Sequence, residues 1–241
     1  MAKYKPEIIY EDEQLLVANK PPGLLSIPGR YDTEKTNLLG LLNQQYEKVW
    51  AVHRIDRETS GLIVFARNPE AHRHLSLQFE ERKTRKFYLA LLDGKLFQPE
   101  GAIDSPIAED PAHPGKMMIA RKGKAAITHY RIVEAFRQFT LVEARIETGR
   151  THQIRVHFAS ISHPLAVDAL YGRREALLLS EIKQRGFQLG RDQEERPLMS
   201  RLSLHAWKLE LEQPATGQTI AFEAPLPKDF SAVLNQVRKW G

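Results

Sequence analysis

The stretch AVHRIDRETSGLIVFA, residues 51–66, joins a cluster of ionisable side chains to an apolar run. Asp56 lies between two arginines, and a Thr-Ser-Gly segment that favours a sharp turn follows it. The last five residues, 62–66, are all apolar and predict a buried strand. Asp56 therefore stands in a loop at the entrance to the core, either as half of a structural salt bridge or as a catalytic carboxylate.

The segments around this stretch predict an α+β fold. Asn68 and Pro69 are typical of a helix N-cap and of a first helical residue. Thr151 can cap a second helix, whose buried face carries Ile154 and Phe158. The strands fall mainly into hairpins with few helices between them, which indicates a mixed and mainly antiparallel central sheet flanked by helices. The predicted hairpins are 127–136 with 140–147 and 207–211 with 219–224.

Length and composition indicate one intracellular domain. A chain of 241 residues suits a single large domain or two intimately packed halves. We expect a single domain, in which the charged and weakly patterned residues 172–200 form an insertion. The sequence contains no cysteine, which excludes disulfides and thiolate zinc sites. It contains no apolar run of about 20 residues and no apolar signal segment near its start. We therefore expect a soluble, cytoplasmic protein without a membrane span.

The charge pattern is compatible with a polyanionic partner. The net charge is +5, and basic residues cluster at 82–86, 116–124 and 145–155. Patches of lysine and arginine bind nucleic acid phosphates and release their counterions. A solvated surface would explain any one cluster equally well, so charge alone leaves both interpretations open.

Two chemical alternatives for the ionisable residues fail on spacing. The order His-Arg-x-Asp at 53–56 differs from the catalytic loop of protein kinases, and no glycine-rich phosphate loop precedes it. Zinc ligands in a known arrangement are also missing. The histidine pairs are 72 with 74 and 152 with 157, and we expect surface or capping roles for them, and no metal. Taken alone, the Asp56 carboxylate is more typical of a structural salt bridge.

Six segments, found in order along nearly the whole chain, reverse this preference for a structural salt bridge. The most specific are HRIDRETSGLIVFAR (53–67) and ETGRTHQIRVHFASISHPLAVDALYG (147–172). The others are EIIYEDEQLLVANKPPGLLSIPG (7–29), KTRKFYLALLDG (83–94), GKAAITHYRIVE (123–134) and LSLHAWKLEL (202–211). Together they resemble the RluA family of RNA pseudouridine synthases. The chain departs from the family pattern at Val167, which replaces the usual glycine before Asp168. We also expect a catalytic domain without the N-terminal RNA-binding module that many members carry.

The resemblance implies the pseudouridine synthase fold, with a central active-site cleft, and the isomerisation of uridine to pseudouridine within RNA. In this reaction the glycosidic carbon–nitrogen bond breaks, the uracil turns, and its carbon 5 rejoins the ribose. Because nothing is oxidised and only a proton leaves, no cofactor is expected. Asp56 is implied as the essential residue. Addition to the uracil, attack on the anomeric carbon and removal of a ribose proton all stay open for it.

The same resemblance implies roles for further residues. Tyr88 is expected to stack on the target base, and Arg155 to lie within reach of Asp56 and lower the pKa of its carboxyl group. An ordinary strand tyrosine and a phosphate-binding arginine are the alternatives. Leu204 is expected to form an apolar wall of the pocket, and Arg54 to enter the space left by the flipped base. The remaining residues expected to bind RNA are His53, Arg57, Arg150 and His152.

The expected partner is ribosomal or transfer RNA, and the expected state is a monomer. A catalytically inactive RNA-binding relative is the alternative, but it would keep the basic clusters and lose Asp56, which this chain retains. A hydrolase that used Asp56 with His53 would need a second acid or an oxyanion device, and the sequence shows neither. The sequence thus favours an active RNA pseudouridine synthase.

Overall fold

The structure, a computed structural model, describes residue 4 and residues 6–29, 35–183, 187–189 and 194–241. The chain divides into two compact units, the first made of residues 1–88 and 205–225 and the second of residues 89–204 and 226–241. The elements in chain order are β1 (Glu7–Glu11), β2 (Leu15–Lys20), α1 (Leu38–Asn43), β3 (Trp50–Ala51), β4 (Ser60–Ala66), α2 (Pro69–Glu80), β5 (Arg85–Asp93), β6 (Glu100–Asp104), β7 (Ile107–Glu109), β8 (Met117–Ile119), β9 (Ile127–Ala135), β10 (Phe139–Ile146), α3 (Gln153–Ser160), α4 (Leu179–Ile182), β11 (Leu204–Glu212), β12 (Thr219–Glu223) and α5 (Lys228–Trp240).

A mixed sheet forms the framework of the first unit. Strands β1, β2, β4 and β11 lie side by side in that order, β3 pairs with β4, and β12 pairs with β11. The pair β4 with β11 is parallel, and the other pairs are antiparallel. The hairpin of β11 and β12 was predicted. This mainly antiparallel arrangement with few helices confirms the α+β class.

β4 is buried along its whole length because both faces of the sheet are covered. Leu62 and Val64 pack on one face with Leu75 of α2. Ile63 and Phe65 pack on the other face with the leucines of α1. A strand covered on both faces has a continuous apolar sequence rather than an alternating one, which explains the run that follows Asp56.

The helix α2 begins where the sequence predicts. The side chain of Asn68 accepts a hydrogen bond from the backbone N–H of Ala71 at 2.8 Å, and Pro69 is the first helical residue. A cap of this kind contributes about 1 kcal/mol. In the part of the chain that the structure describes, no helix combines the length and the apolar character needed to cross a bilayer.

The second unit contains an antiparallel sheet and a separate hairpin. β9 pairs with β10 on one side, as predicted, and with β6 on the other. The hairpin of β7 and β8 packs against α3, where Ile107 contacts the cluster around Val156. The C-terminal helix α5 buries Phe230 and Leu234. In the segment 172–200, Arg174 pairs with Glu181 at 3.0 Å, and residues 184–186 and 190–193 lie outside the described residues.

The start of α3 differs from the sequence prediction. Thr151 does not cap the helix: the N-cap is His152, in the left-handed conformation with φ +55° and without a side-chain cap. The reason is the side chain of Gln153, whose Oε1 accepts from the backbone N–H of Arg150 at 3.1 Å and from the Thr148 hydroxyl at 2.6 Å. This side chain holds the preceding loop, and the chain turns sharply at His152 to enter the helix.

The parallel pairing of β4 with β11 requires a glycine at position 61. His205 lies opposite Ser60, and Ala206 lies opposite Gly61. Gly61 has φ +112°, and a Cβ placed on it would overlap the carbonyl oxygen of Ala206. Both the dihedral angle and the close approach therefore exclude a side chain.

Gly61→Ala is expected to lower the free energy of unfolding by about 3 kcal/mol or more, because it adds a backbone clash to the strain of a positive φ. Gly217→Ala is the control. Gly217 also has a positive φ, +68°, but a Cβ there meets no atom of the described chain within 4 Å, so about 1–2 kcal/mol is expected. Urea unfolding followed by circular dichroism measures both, and equal losses would contradict the close approach.

Candidate functional site

The loop that carries Asp56 is held by the turn of residues 19–23. The ammonium group of Lys20 is fully buried and donates to three carbonyl oxygens, one of them that of Arg57 at 2.9 Å. The backbone N–H of Gly23 donates to the same Arg57 carbonyl at 2.9 Å. In return, Nε of Arg57 donates to the Gly23 carbonyl at 3.0 Å. The backbone just after Asp56 is therefore fixed.

Ser26 fixes the backbone just before Asp56. Its hydroxyl donates to the Ile55 carbonyl at 2.9 Å and accepts from the Ile55 N–H at 3.2 Å. The N–H of Thr59 donates to the Asp56 carbonyl at 3.1 Å and closes the turn that leads into β4. The half-buried Asp56 side chain thus projects from a backbone anchored on both sides, as a preorganised reacting group requires.

His53 supports the same loop from the edge of β4. Its Nε2 accepts from the backbone N–H of Val64 at 3.0 Å. Beyond the end of β3, the ring therefore accepts the hydrogen bond that a carbonyl of a paired strand would accept. The ring stacks on Phe79 with centroids 4.5 Å apart. Burial, and then the charge of Lys86, lower the pKa of His53 to about 3, which keeps the ring neutral at pH 7. Its contact with RNA stays a prediction.

Beyond the loop, Ser60 connects β4 to β11 through a fully buried histidine. The Ser60 hydroxyl lies 3.0 Å from Nδ1 of His205, and Nε2 of that ring lies 3.3 Å from the Ala224 carbonyl. A proton on Nε2 satisfies the carbonyl and leaves Nδ1 to accept from the serine. The exit of the Asp56 loop is thereby fastened to the last strands of the unit.

Tyr88 on β5 is the second predicted catalytic residue in this unit, and its side chain is buried. Burial raises the pKa of Tyr88, and the negative charge of Asp56 raises it further. The structure therefore brings Asp56 within electrostatic reach of the tyrosine. The hydroxyl stays protonated at physiological pH and can donate a hydrogen bond.

Lys86 is a buried cation that the sequence analysis placed in the basic cluster at 82–86 without assigning it a role in the site. It lies two residues before Tyr88, so both side chains project from the same face of β5. Lys86 is 9% exposed, and its Nζ lies 5.8 Å from the ring centroid of Phe79. No carboxylate of the described chain pairs with it. Burial, and then the charge of Arg82, lower the pKa of Lys86 to about 8, and shifts of this kind cluster at functional sites.

In the second unit, Arg155 forms a buried ion pair with Asp168. Nε and Nη2 of Arg155, which is 7% exposed, donate to the two carboxylate oxygens of Asp168 at 2.7 and 2.8 Å. Asp168 also accepts from the backbone N–H groups of Leu170 and Tyr171. The sequence analysis noted Asp168 without assigning it a role, because the sequence alone does not show which carboxylate meets Arg155. The pairing of Arg155 with Asp56 stays a prediction.

Among the other predicted RNA contacts of the first unit, Arg54 and Arg57 are exposed on the loop of Asp56. The Arg57 side chain lies 3.5 Å from that of Glu58, and both are largely open to solvent. Leu204, at the start of β11, belongs to the second unit. It is buried, and its carbonyl accepts from Arg201. Arg54 and Arg57 are therefore two exposed cations next to Asp56 in the chain. The Leu204 side chain lies in the core.

Arg150 of the second unit contributes to a basic cavity. A cavity of about 430 Å³ lies between β7 and the loop before α3, and Lys122, Lys124 and Arg150 are among the residues that line it. Nε of Arg150 donates to the carbonyl of Ala125 at 3.1 Å, which holds the side chain there. Glu109 also lines the cavity. Three cations and one carboxylate leave a net positive charge there, which favours a phosphate.

The histidine roles are partly different from those predicted. His157 is fully buried rather than at the surface, because α3 turns it towards β9, where it bonds with the Thr128 hydroxyl at 2.8 Å and the Ser105 carbonyl at 3.0 Å. Burial lowers the pKa of His157. Within residues 6–29, 35–183, 187–189 and 194–241, no three or more histidine, aspartate or glutamate side chains converge in a way that could hold a metal ion.

The comparisons of this sequence with known proteins agree with one another. Residues 14–160 match the sequence profile of a family described as RNA pseudouridylate synthase. A ribosomal large subunit pseudouridine synthase D of Nitrosomonas europaea is 40% identical over 96% of this chain and 65% of its own length. An uncharacterized RNA pseudouridine synthase of Bacillus subtilis, YlyB, is 37% identical over 98% of this chain and 74% of its own length. The chain thus spans just under two thirds of the Nitrosomonas relative.

Comparison with solved structures agrees with the sequence comparisons. Human RNA pseudouridylate synthase domain containing 4 superposes with a TM-score of 0.71 at 26% identity, covering 96% of this chain and 93% of that protein. Human RNA pseudouridylate synthase domain containing 1 gives a TM-score of 0.70 at 26% identity, covering 92% of this chain and 84% of that protein. The predicted pseudouridine synthase fold is confirmed by these similarities.

Lys86→Met is expected to raise the free energy of unfolding at pH 7 by about 1–3 kcal/mol, because it removes the cost of burying an ammonium group. The pKa of Lys86 is about 8 in the folded protein, below its ordinary value of 10.5. Between these values the unfolded chain binds more protons, so wild-type stability rises with pH and the advantage of the variant shrinks.

Urea unfolding at pH 7 and pH 10 measures this difference. Lys83→Met, at a surface lysine paired with Glu81, is the control and should change stability by less than about 0.5 kcal/mol. A Lys86→Met variant less stable than wild type at pH 7 would show that the ammonium group is stabilising where it lies.

Asp168→Asn is expected to lower the free energy of unfolding by about 3 kcal/mol, because it leaves the buried Arg155 guanidinium without its counter-charge. Glu143→Gln, which breaks the pair with the exposed Arg131, should cost about 1 kcal/mol, since the guanidinium left behind stays in contact with solvent. Thermal and urea unfolding measure both variants. Arg155→Met should cost less in the Asp168→Asn background than in wild type, and strictly additive losses would refute the coupling.

Proposed function

The chain belongs to the family of RNA pseudouridylate synthases, and on that premise we propose that it isomerises uridine to pseudouridine within RNA. The predicted resemblance to the RluA family is confirmed by the relatives that match nearly the whole chain. The observation that carries the proposal is Asp56 itself, a single carboxylate on a loop anchored on both sides and electrostatically coupled to a buried, protonated Tyr88.

Asp56 acts as the ionised carboxylate in each of the three routes open to it. Addition to the uracil, attack on the anomeric carbon and removal of a ribose proton all need a lone pair on oxygen. The hydrogen bonds of Lys20 and Ser26 to the neighbouring carbonyls place this oxygen before the substrate arrives. A group fixed in advance needs no reorganisation during the reaction, which lowers the barrier.

Tyr88 supplies a flat ring and a protonated hydroxyl beside the carboxylate. Its ring stacks on the uracil, an interaction of about 1–3 kcal/mol for a base on an aromatic ring. During the isomerisation N1 of the uracil gains a proton and carbon 5 loses one. Because the raised pKa of Tyr88 keeps the hydroxyl neutral, it can donate a hydrogen bond to the detached base or to Asp56.

Arg155 provides a guanidinium whose orientation is set by Asp168. We assign it to the active site because the TGRTHQIRVH segment places it at the family's active-site basic position. Arg54 and Arg57 are the exposed cations next to Asp56. Their proposed roles are to fill the space of the flipped base and to hold the RNA backbone, since extrusion of a base costs a few kcal/mol.

The proposed substrate is ribosomal RNA, with transfer RNA as the second candidate. Relatives from several bacteria carry the name ribosomal large subunit pseudouridine synthase D, which favours a ribosomal target here. We further propose that the two units act as one catalytic domain, as a monomer in the cytoplasm. The basic cavity of Lys122, Lys124 and Arg150 supports an RNA partner.

Asp56→Asn is expected to abolish pseudouridine formation, by about a thousandfold or more, and to leave RNA binding within about threefold. Asparagine keeps the volume of the side chain and removes its charge. Transcripts of ribosomal and transfer RNA are incubated with each protein, and pseudouridine is mapped by chemical labelling and reverse transcription.

Glu58→Gln is the matched control, since it removes an exposed carboxylate two residues further on, and should keep activity within about twofold. Wild-type protein that binds these RNAs and converts no uridine would overturn the enzyme assignment in favour of an inactive relative. An Asp56→Asn variant within tenfold of wild type would overturn the role of Asp56 alone.

A further inference from the structure

Tyr171 contacts two segments of the second unit that are distant in sequence, the β7–β8 hairpin and the start of α3. The guanidinium carbon of Arg155 lies 4.9 Å from the centroid of its ring. Its hydroxyl accepts a hydrogen bond from the backbone N–H of Met117, the first residue of β8, at 2.7 Å. The same hydroxyl lies 2.9 Å from Nδ1 of His152 at the start of α3. One side chain therefore touches the proposed active-site arginine, the β7–β8 hairpin and the loop before α3.

The ring of Tyr171 adds a second contact to the Arg155 guanidinium. Asp168 binds the edge of the guanidinium that carries Nε and Nη2. The ring lies against the guanidinium carbon, in an arginine–aromatic contact worth about 0.5–2 kcal/mol. The backbone N–H of Tyr171 also donates to Asp168 at 3.1 Å. The carboxylate and the ring thus come from one turn and constrain different movements of the same group.

The hydroxyl of Tyr171 fastens the β7–β8 hairpin to this turn. Met117 of β8 and Ile107 of β7 belong to the apolar cluster in which Val156 of α3 and Tyr171 also pack. Lys116, which precedes β8, places its Nζ 5.5 Å from the Tyr171 ring. The hairpin leads directly into Lys122 and Lys124 of the basic cavity. Displacement of the hairpin therefore acts on Tyr171, which in turn contacts Arg155.

We propose that Tyr171 is a positioning residue that couples the β7–β8 hairpin to Arg155. The proposal rests on the proposed function, because it takes Arg155 as an active-site group and the basic residues beside the hairpin as RNA contacts. RNA bound at the hairpin holds the Tyr171 hydroxyl in place, and the ring holds the guanidinium. The hydroxyl therefore contributes mainly to RNA binding, and the ring mainly to turnover.

The kinetic test separates these two parts of the side chain. Tyr171→Phe removes the hydroxyl and keeps the ring, so KM for the RNA should rise about fivefold while kcat stays within about twofold. Tyr171→Leu removes both, so kcat should also fall about tenfold or more. Tyr171→Met, a second ringless replacement, repeats the kcat measurement if the leucine variant unfolds. Circular dichroism establishes that each variant is folded.

Tyr130→Phe is the matched control. Tyr130 of β9 is a buried tyrosine of the same unit whose ring packs on Phe158 of α3, with centroids 5.7 Å apart. It should leave kcat and KM within about twofold. A general loss of packing around α3 would affect both Phe variants, whereas the proposed coupling affects only Tyr171→Phe.

Hydrogen exchange gives a readout that does not depend on catalysis. The Met117 amide should exchange about tenfold faster in Tyr171→Phe than in wild type or Tyr130→Phe, because its acceptor is gone. Unchanged Met117 exchange would overturn the fastening of the hairpin. Equal effects of the Phe and Leu variants on kcat would overturn the coupling to Arg155. Wild-type protein that converts no uridine would overturn the proposed function, while the exchange experiment would still decide the contact of Tyr171.

Discussion

The buried ammonium group of Lys20 is the interaction on which the geometry of the first unit depends. It donates to the carbonyls of Pro21, Leu24 and Arg57, and so joins a proline-rich turn to a loop that lies 37 residues later in the chain. A neutral side chain in its place would remove the donor of three carbonyl oxygens, of which that of Leu24 is buried and would be left unsatisfied at a cost of about 1–3 kcal/mol. The position of Asp56 follows from this contact, because Arg57 is its neighbour.

Buried cations in this protein fall into two physical classes. Lys20 and Arg155 are surrounded by acceptors, carbonyl oxygens in the first case and the Asp168 carboxylate in the second. Their charges are compensated, and their role is to hold backbone or to be held in a defined orientation. Lys86 has no carboxylate partner in the described chain, and burial lowers its pKa. Its charge is uncompensated there, and the expected consequence is a cost in stability.

The parts of the structure that could be predicted depend on local signals. The apolar run after Asp56, the Asn68 cap and the β9–β10 hairpin each follow from residues that are close in sequence. The family motifs likewise indicated the fold and pointed to Asp56 and Tyr88. What could not be predicted depends on contacts between distant segments. Thr151 failed as a cap because Gln153, held by the Ile127 carbonyl and the Thr128 hydroxyl of β9, binds the preceding loop. No periodicity reveals which carboxylate meets Arg155.

The parallel pairing of β4 with β11 has a consequence for biosynthesis. Ser60 and His205 meet in this pair although 145 residues separate them. At a translation rate of about 5–20 residues per second, β4 emerges from the ribosome roughly 7–30 s before its partner. During that interval Ser60 and Gly61 lack their partner strand, whereas β3 and the His53 ring can already bind the rest of that edge. A short open segment of this kind is a smaller aggregation hazard than a whole unpaired strand. The contacts of Lys20 and Ser26 with the Asp56 loop can form early, and the exit of the loop is fastened to β11 only when most of the polypeptide has been synthesised.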